Sequence, residues 1–259
     1  MSFFINNVEL KEASFNQQEV KSIYFNTHLI WKANFWPAAG TPLSSWTWKE
    51  IINLCNSGED VRQYFSIGDT RSLVLTTGEV IPVVIGDFYH NTITGTTNTA
   101  AIAFTFVDCL NTQYKMNTSN TNQGGWDGSN MRKTHMPNIL ATFPAELTAN
   151  NAIKYVNVEA AAGSKSTTLI ISSDRLRLHS VTELGGSQQY AAIEGTVYPY
   201  YESLSDIRKY TNGSLVNYWT RTPYTNSNNF FYYYDSRFSS FRGAQPNYEP
   251  LGVACAFDI

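Results

Sequence analysis

Charged residues are scarce in this sequence. Asp, Glu, Lys and Arg together make up 15% of the 259 residues, and the formal net charge is -3. A typical soluble domain has about 25% charged residues. Binding to nucleic acid phosphates needs a basic face, so this composition predicts that the protein has no nucleic acid partner.

Long apolar runs and a basic N-terminal region are also lacking. No stretch approaches 18 consecutive apolar residues, so we expect no membrane insertion. The opening residues MSFFINNVELKE have no cationic start followed by an apolar run, which predicts no signal peptide and synthesis in the cytoplasm. The three cysteines Cys55, Cys109 and Cys255 are odd in number and far apart, which predicts buried free thiols.

Motifs of enzymes and metal proteins are missing as well. The sequence has no G-x-S-x-G, P-loop, G-x-G-x-x-G or H-x-x-x-H pattern. Asp87 and His90 in GDFYHN are spaced as an acid–base pair, but no nucleophile or third member is identifiable. We therefore expect no enzyme activity, no catalytic residue, no cofactor and no metal, and the four histidines are expected to be surface or packing residues.

Aromatic residues are plentiful, at 14% of the chain, and they divide with other features into segments. Residues 1–35 contain the short runs FFINNVEL, EVKSIYF and HLIWKA, which predict a small β module. Residues 36–45 contain Pro37, Gly40 and Pro42, which favour a linker. Residues 46–259 then form the main domain.

The main domain alternates between helical and strand patterns. Thr47 and Glu50 have capping-box spacing ahead of an apolar stripe, which predicts a helix over 47–56. A second helix is expected over 129–142, interrupted or restarted at Pro137. Strands are expected at 72–76, 80–85, 101–107, 168–172 and 175–178, with 185–214 mostly loop. The fold class is therefore α+β, with two helices in a largely antiparallel sheet system.

The C-terminal segment, residues 218–250, is the most aromatic part of the chain. Residues 218 to 248 include 11 aromatic residues among 31. Strand alternation puts Phe231 and Tyr233 on one face and Tyr232 and Tyr234 on the other. A two-layer domain buries only one face, so we assign Phe231 and Tyr233 to the core and the other face to ligand binding. The predicted ligand-binding residues are Asn228, Tyr232, Tyr234, Ser236, Arg237, Phe238, Ser240, Phe241, Arg242 and Tyr248.

The same segment has a restricted residue set. From Tyr224 to Ala244 there is no Lys, Glu, Gln, Met or Trp. These five amino acids cannot be reached by mutating the adenines of AAC or AAT codons. The gap favours, though weakly, a segment rewritten by adenine-directed mutagenesis.

From about residue 46 onward the sequence resembles a known family. The blocks WKEIINLCNSG, YFSIGDT, AFTFVDCL, MNTSNTNQGGWDGSNMR, LRLHSVTELGG, YWTRTP and GVACAFDI, in this order, resemble a domain family of unknown function from gut bacteria and their phages. That family is similar to the C-type-lectin-like fold of the sulfatase-modifying type, and some members are variable proteins of diversity-generating retroelements. EVKSIYFNTHLIWKA is similar to short modules that begin phage tail proteins.

The resemblance implies a C-type-lectin-like fold whose C-terminal variable region, about 218–250, presents a diversified surface. It implies a phage tail or receptor-binding protein located in the virion. The expected partners are a host cell-surface protein or glycan and other tail proteins, which residues 1–35 would dock; a homo-oligomer is also possible. The alternatives are a bacterial surface or secreted ligand-binding domain and, with less support, an enzyme of the sulfatase-modifying type. The family's usual Asx-Gly turn is here Asp235-Ser236-Arg237, without glycine.

Overall fold

The computed structural model describes residues 36–259 in full and, before them, the backbone of six short strands. These strands are β1 Phe4–Ile5, β2 Val8–Glu9, β3 Ser14–Phe15, β4 Gln18–Glu19, β5 Ser22–Phe25 and β6 His28–Lys32. They pair consecutively as three antiparallel hairpins. The rest of the predicted 1–35 module, including its proposed docking role, lies outside the described residues.

Helices of the described region are few and short. They are α1 Trp48–Cys55, α2 Gly125–Gly128, α3 Met136–Leu140, α4 Ala145–Thr148 and α5 Pro199–Glu202, together with 3-10 turns at Leu43–Ser45 and Val61–Gln63. The predicted capping box begins α1: the Thr47 hydroxyl accepts from the Glu50 amide, and the Glu50 carboxylate accepts from the Thr47 amide. The predicted second helix is a π-helical turn, Met131–His135, that continues as α3.

Strands account for most of the remaining regular structure. They are β7 Thr70–Val74, β8 Val80–Phe88, β9 Ile102–Phe106, β10 Val156–Gly163, β11 Ser166–Asp174, β12 Arg177–Leu178, β13 Lys209–Thr211, β14 Ser214–Val216, β15 Tyr218–Pro223, β16 Phe231–Asp235, β17 Ser240–Ala244 and β18 Cys255–Asp258. Their ladders are antiparallel, so the fold is mixed α/β with mostly antiparallel sheets and few helices.

The central sheet has five strands in the order β12-β18-β9-β8-β7. The last strand of the chain, β18, lies inside this sheet between β9 and β12, and all four of its residues are buried. Helix α1 packs on it through Trp48, whose ring is 5.5 Å from Phe104 and 6.1 Å from Phe257. The C-terminus is therefore held in the core of the molecule.

One hydrophobic core runs from Leu43 to Ile259. Leu43 and Trp46 are each 2% exposed, and Trp36 packs against the same core. The end of the predicted 36–45 linker is thus part of the packed domain. Leu43 is apolar and stands in a 3-10 turn after Pro42, which explains why a Pro/Gly-rich stretch nevertheless contributes to the core.

The glycine pair of NQGGWDG brings α2 against β10. Gly124 and Gly125 have positive φ values of 80° and 55°. A Cβ at Gly125 would lie 1.8 Å from the Ala161 carbonyl oxygen, so only glycine allows this approach. The contact holds α2 on the β10–β11 hairpin.

Candidate functional site

The C-terminal aromatic segment folds as a three-stranded antiparallel sheet in the order β15-β16-β17. Tyr233 lies opposite Arg242 and Trp219, whereas Tyr234 lies opposite Phe241 and Tyr218. Side chains alternate along each strand, so this register defines two faces. We call them the Tyr233 face and the Tyr234 face; Tyr232 belongs to the latter.

The Tyr234 face is covered, contrary to the sequence prediction. Tyr232 is 2% exposed and Tyr234 is 5% exposed. Tyr232 stacks on Tyr224, with 4.1 Å between ring centroids and 18° between planes. The segment 184–207 lies over the rest: Gly186 sits so close to Phe241 that a Cβ there would be 2.3 Å from the ring. The prediction assumed a two-layer domain, in which one face of β16 is exposed, but the segment 184–207 packs on that face as a third layer.

Ser236 was also predicted to be exposed, and this was wrong. It is 1% exposed, its amide donates to Asn217 Oδ1 over 2.9 Å, and its hydroxyl donates to the Val216 carbonyl. Ser236 therefore fastens the β16–β17 turn to the start of β15.

The exposed residues of the segment lie on the Tyr233 face and in its turns. Arg237, Arg242 and Asn228 are exposed, and Ser240 is half-buried. Phe241, on the Tyr234 face, is half-buried as well. Phe238 is 55% exposed and Tyr248 is 72% exposed. The predicted ligand-binding set is therefore split, because part of it forms surface and part forms core.

Two arginines lie close to the exposed Phe238 ring. The guanidinium carbon of Arg242 is 4.2 Å from the ring centroid, and that of Arg237 is 5.4 Å away. Arg242 Nε also lies 3.4 Å from Asp235 Oδ2. Cation–π contacts and this ion pair limit the motion of long side chains, which lowers the entropy lost when a partner binds.

A cleft of about 330 Å³ lies next to Arg242, because its chain neighbour Gly243 and its cross-strand partner Tyr233 both line the cleft. Tyr233 and Tyr248 form its aromatic walls, and Asn217, Gln245 and Glu249 supply polar groups. Tyr233, predicted to be a core residue, is only half-buried. We call the group of Arg237, Phe238, Arg242, Tyr233 and Tyr248 the exposed ridge.

Beneath the sheet lies a buried polar network that sequence reasoning missed. Arg221 of β15 donates to both carboxylate oxygens of Glu183, over 2.6 and 2.7 Å. His179 Nδ1 lies 3.1 Å from Glu183, and its Nε2 lies 2.7 Å from the Thr105 hydroxyl. The network thus fixes β15 against the central sheet. Its members come from three distant segments, so no local pattern could have identified it.

The Asp87–His90 pair forms as its spacing allowed. His90 Nδ1 is 2.7 Å from Asp87 Oδ2, and Nε2 is 3.3 Å from the Thr196 hydroxyl. However, the imidazole stacks on Tyr198 at 3.9 Å, and its side chain is 7% exposed. The ring therefore connects the end of β8 to the segment before α5.

A larger cleft, about 520 Å³, was also missed. Its lining includes Met136, Leu140 and Leu176 and three cations, Arg132, Lys133 and Arg175. Two of these cations are engaged: Arg132 Nε donates to Asp174 over 2.6 Å, and Arg175 donates to three backbone carbonyls. Arg132 and Arg175 therefore serve the packing of the cleft wall.

Metal-ligand clusters are absent from residues 36–259: no three His, Cys, Asp or Glu side chains there are grouped to hold an ion. Over the same range, no helix has the length and hydropathy needed to cross a membrane.

Comparison with known families places these features in context. The model of a domain of unknown function, DUF6273, matches residues 97–256, which is more than half of the chain. The chain belongs to the DUF6273 family. Searches of curated proteins and of solved structures returned no match.

The DUF6273 region begins before β9 and ends within β18. It includes the three-stranded sheet, the buried Arg221–Glu183 network and the β10–β11 hairpin. Helix α1 and the β7–β8 hairpin lie before it, yet they belong to the same hydrophobic core. The folded unit is therefore longer than the family match.

Proposed function

We propose that the protein is a ligand-binding protein that contacts its partner through the exposed ridge. One observation carries the proposal: Phe238, more than half exposed, lies within 5.4 Å of the guanidinium groups of both Arg237 and Arg242. Exposed aromatic side chains in a soluble protein usually mark an interaction surface. Arg and Tyr are enriched among the residues that dominate binding energy.

We further propose that this surface serves a receptor-binding protein of a phage tail. Its fold would be C-type-lectin-like, of the sulfatase-modifying type, and its partner a host surface protein or glycan. Two features support this: the terminal strand lies within the central sheet, and the residues of the ridge lie mainly in a segment compatible with adenine-directed diversification. The engaged, shielded Asp87–His90 pair favours binding over catalysis.

The test of the ridge is a paired measurement on one variant. Phe238, Arg242 and Tyr248 are replaced together by serine, and binding of the labelled full chain to a panel of gut bacterial isolates is measured by flow cytometry. At roughly 1–3 kcal/mol for each anchor, we expect affinity to fall by a factor of about 100 or more. The melting temperature should change little, because all three side chains are exposed.

Tyr155→Ser is the matched control, since Tyr155 is 49% exposed and lies on the other cleft. Wild-type binding by the triple variant would refute the ridge. The diversification proposal has its own test, because it requires a reverse transcriptase gene and a near-copy of the 3′ end beside this gene.

A further inference from the structure

Strand β11 presents a long unpaired edge. Its nine residues, Ser166–Asp174, pair on one side with β10, and its other side faces no strand of the described chain. Residues 166–173 contain no charged side chain and no proline. Ile171 is 61% exposed and Leu169 is 39% exposed. An uncharged apolar edge of this length is a template for pairing with another strand.

The edges of β17, β12 and β7 are protected. Strand β17 carries Arg242 at its centre, and β12 has only two residues. On β7, Arg71 donates to the Trp46 carbonyl. The 3-10 turn Leu43–Ser45 packs alongside the same strand. Charge, short length and a covering segment are the usual ways to block edge pairing. The edge of β11 is long, uncharged and uncovered, except that Arg132 donates to the Ser173 carbonyl over 3.3 Å.

We propose that β11 pairs with β11 of a second copy of this chain, antiparallel about a two-fold axis at Ile170. The sequence S-T-T-L-I-I-S-S is self-complementary in this register. Leu169 would lie opposite Ile171 of the second copy, Thr168 opposite Ser172, and Thr167 opposite Ser173. Aliphatic pairs and hydroxyl pairs are both favourable across antiparallel strands. A two-fold interface requires this kind of self-complementarity.

The pairing would stop at a dimer, because the opposite edge of the hairpin is occupied. On β10, the Asn157 amide donates to the Thr92 carbonyl, and the Tyr155 carbonyl just before the strand accepts from Thr94. Further along, the Glu159 carbonyl accepts from Arg221, and the Ala161 amide donates to Glu194. Joining two hairpins through β11 therefore gives a four-stranded sheet with no free edge for a third copy, so the pairing does not continue into a fibre.

The first test measures self-association of the full chain. A single strand pair buries little area, so we expect a weak dimer that appears over total concentrations of about 5–500 µM in sedimentation velocity. Ile171→Lys places a charge on the exposed face of the edge and should weaken the dimer at least tenfold. Ile193→Lys is the control, because Ile193 is 79% exposed in a loop. A monomer throughout this range, or equal association of I171K, would overturn the proposal.

The second test reads the register. Directly opposite residues in antiparallel strands have Cα atoms about 4.5–5.5 Å apart, within the span of a disulfide. Ile170→Cys should therefore form a covalent dimer under mild oxidation. Thr167→Cys should not, because its two copies would be about 20 Å apart in this register. The unmodified chain controls for Cys55, Cys109 and Cys255. Equal cross-linking of the two variants would rule out a two-fold axis at Ile170.

Discussion

Burial favours the neutral form of two titratable residues, His179 in the buried polar network and Glu194 beside it. Burial lowers the pKa of His179 to about 4, so its ring is neutral at pH 7. Burial raises the pKa of Glu194 to about 7. Burial also acts on Glu183, but the charge of Arg221 outweighs it and holds the pKa of Glu183 well below its usual range. Both guanidinium NH2 groups of Arg221 bind Glu183, so the cost of burying a charged Glu194 carboxylate is only partly offset.

The groups facing Glu194 explain its partial compensation. The Ala161 amide and the Thr222 hydroxyl donate to its carboxylate over 2.7 and 2.6 Å, Arg221 attracts it, and Glu183 repels it. Because its folded pKa exceeds the unfolded value, its contribution to stability is full below about pH 4.5 and is lost as pH rises to about 7. The loss is on the order of 3 kcal/mol.

Glu194→Gln should remove this pH dependence. His179 acts in the opposite sense, since its lowered pKa makes the free energy of unfolding rise from about pH 4 to 6.5. The two slopes offset each other in the wild type, and the variant should show the rising slope alone. The measurement is urea unfolding between pH 4.5 and 7.5. Parallel profiles for the two proteins would contradict an ionising Glu194.

At the scale of elements, the sequence pattern predicted those helices and strands whose formation depends on neighbouring residues. The capping box of α1, the β7–β8 hairpin and the β9 strand follow from neighbouring residues, and all three are present. The order of the central sheet and the burial of Tyr232 depend on contacts between distant segments. The residues that cover Tyr232 and Tyr234 come from 184–207 and from Tyr224, and no periodicity within β16 reveals them.

Tyr232 and Phe238 should therefore respond differently to the same substitution. Tyr232→Ser removes a buried, stacked ring and should lower the free energy of unfolding by about 3–5 kcal/mol, as for other large-to-small changes in a core. Phe238→Ser should change it by less than about 1 kcal/mol, because the ring is mostly exposed. Chemical denaturation of both variants makes the comparison, and equal losses would mean that the assignment of faces is wrong.

At the scale of the whole molecule, residues 36–259 share one hydrophobic core, which begins before the predicted domain boundary at residue 46. Composition predicted a linker at 36–45 because proline and glycine cluster there, but composition cannot reveal which apolar residue of a loop reaches the core. Leu43 does so, and Trp46 follows it, with its ring 4.7 Å from Phe65 and 5.9 Å from Tyr64. The Trp46 indole also donates to the Thr41 carbonyl.

Two truncated chains test this boundary. A chain that begins at residue 36 should fold, because it keeps Trp36, Leu43 and Trp46. A chain that begins at residue 47 loses all three, and burial of a single leucine or tryptophan contributes about 2–5 kcal/mol. A domain typically has 5–15 kcal/mol of stability in total, so the shorter chain should be largely unfolded at 37 °C. Thermal unfolding followed by circular dichroism compares the two.

Equal melting temperatures would make 36–46 a true linker, whereas aggregation of the chain that begins at 36 would place residues 1–35 in the core. If the longer chain folds and the shorter one does not, the domain begins between these points, and residues 1–35 are free to serve attachment.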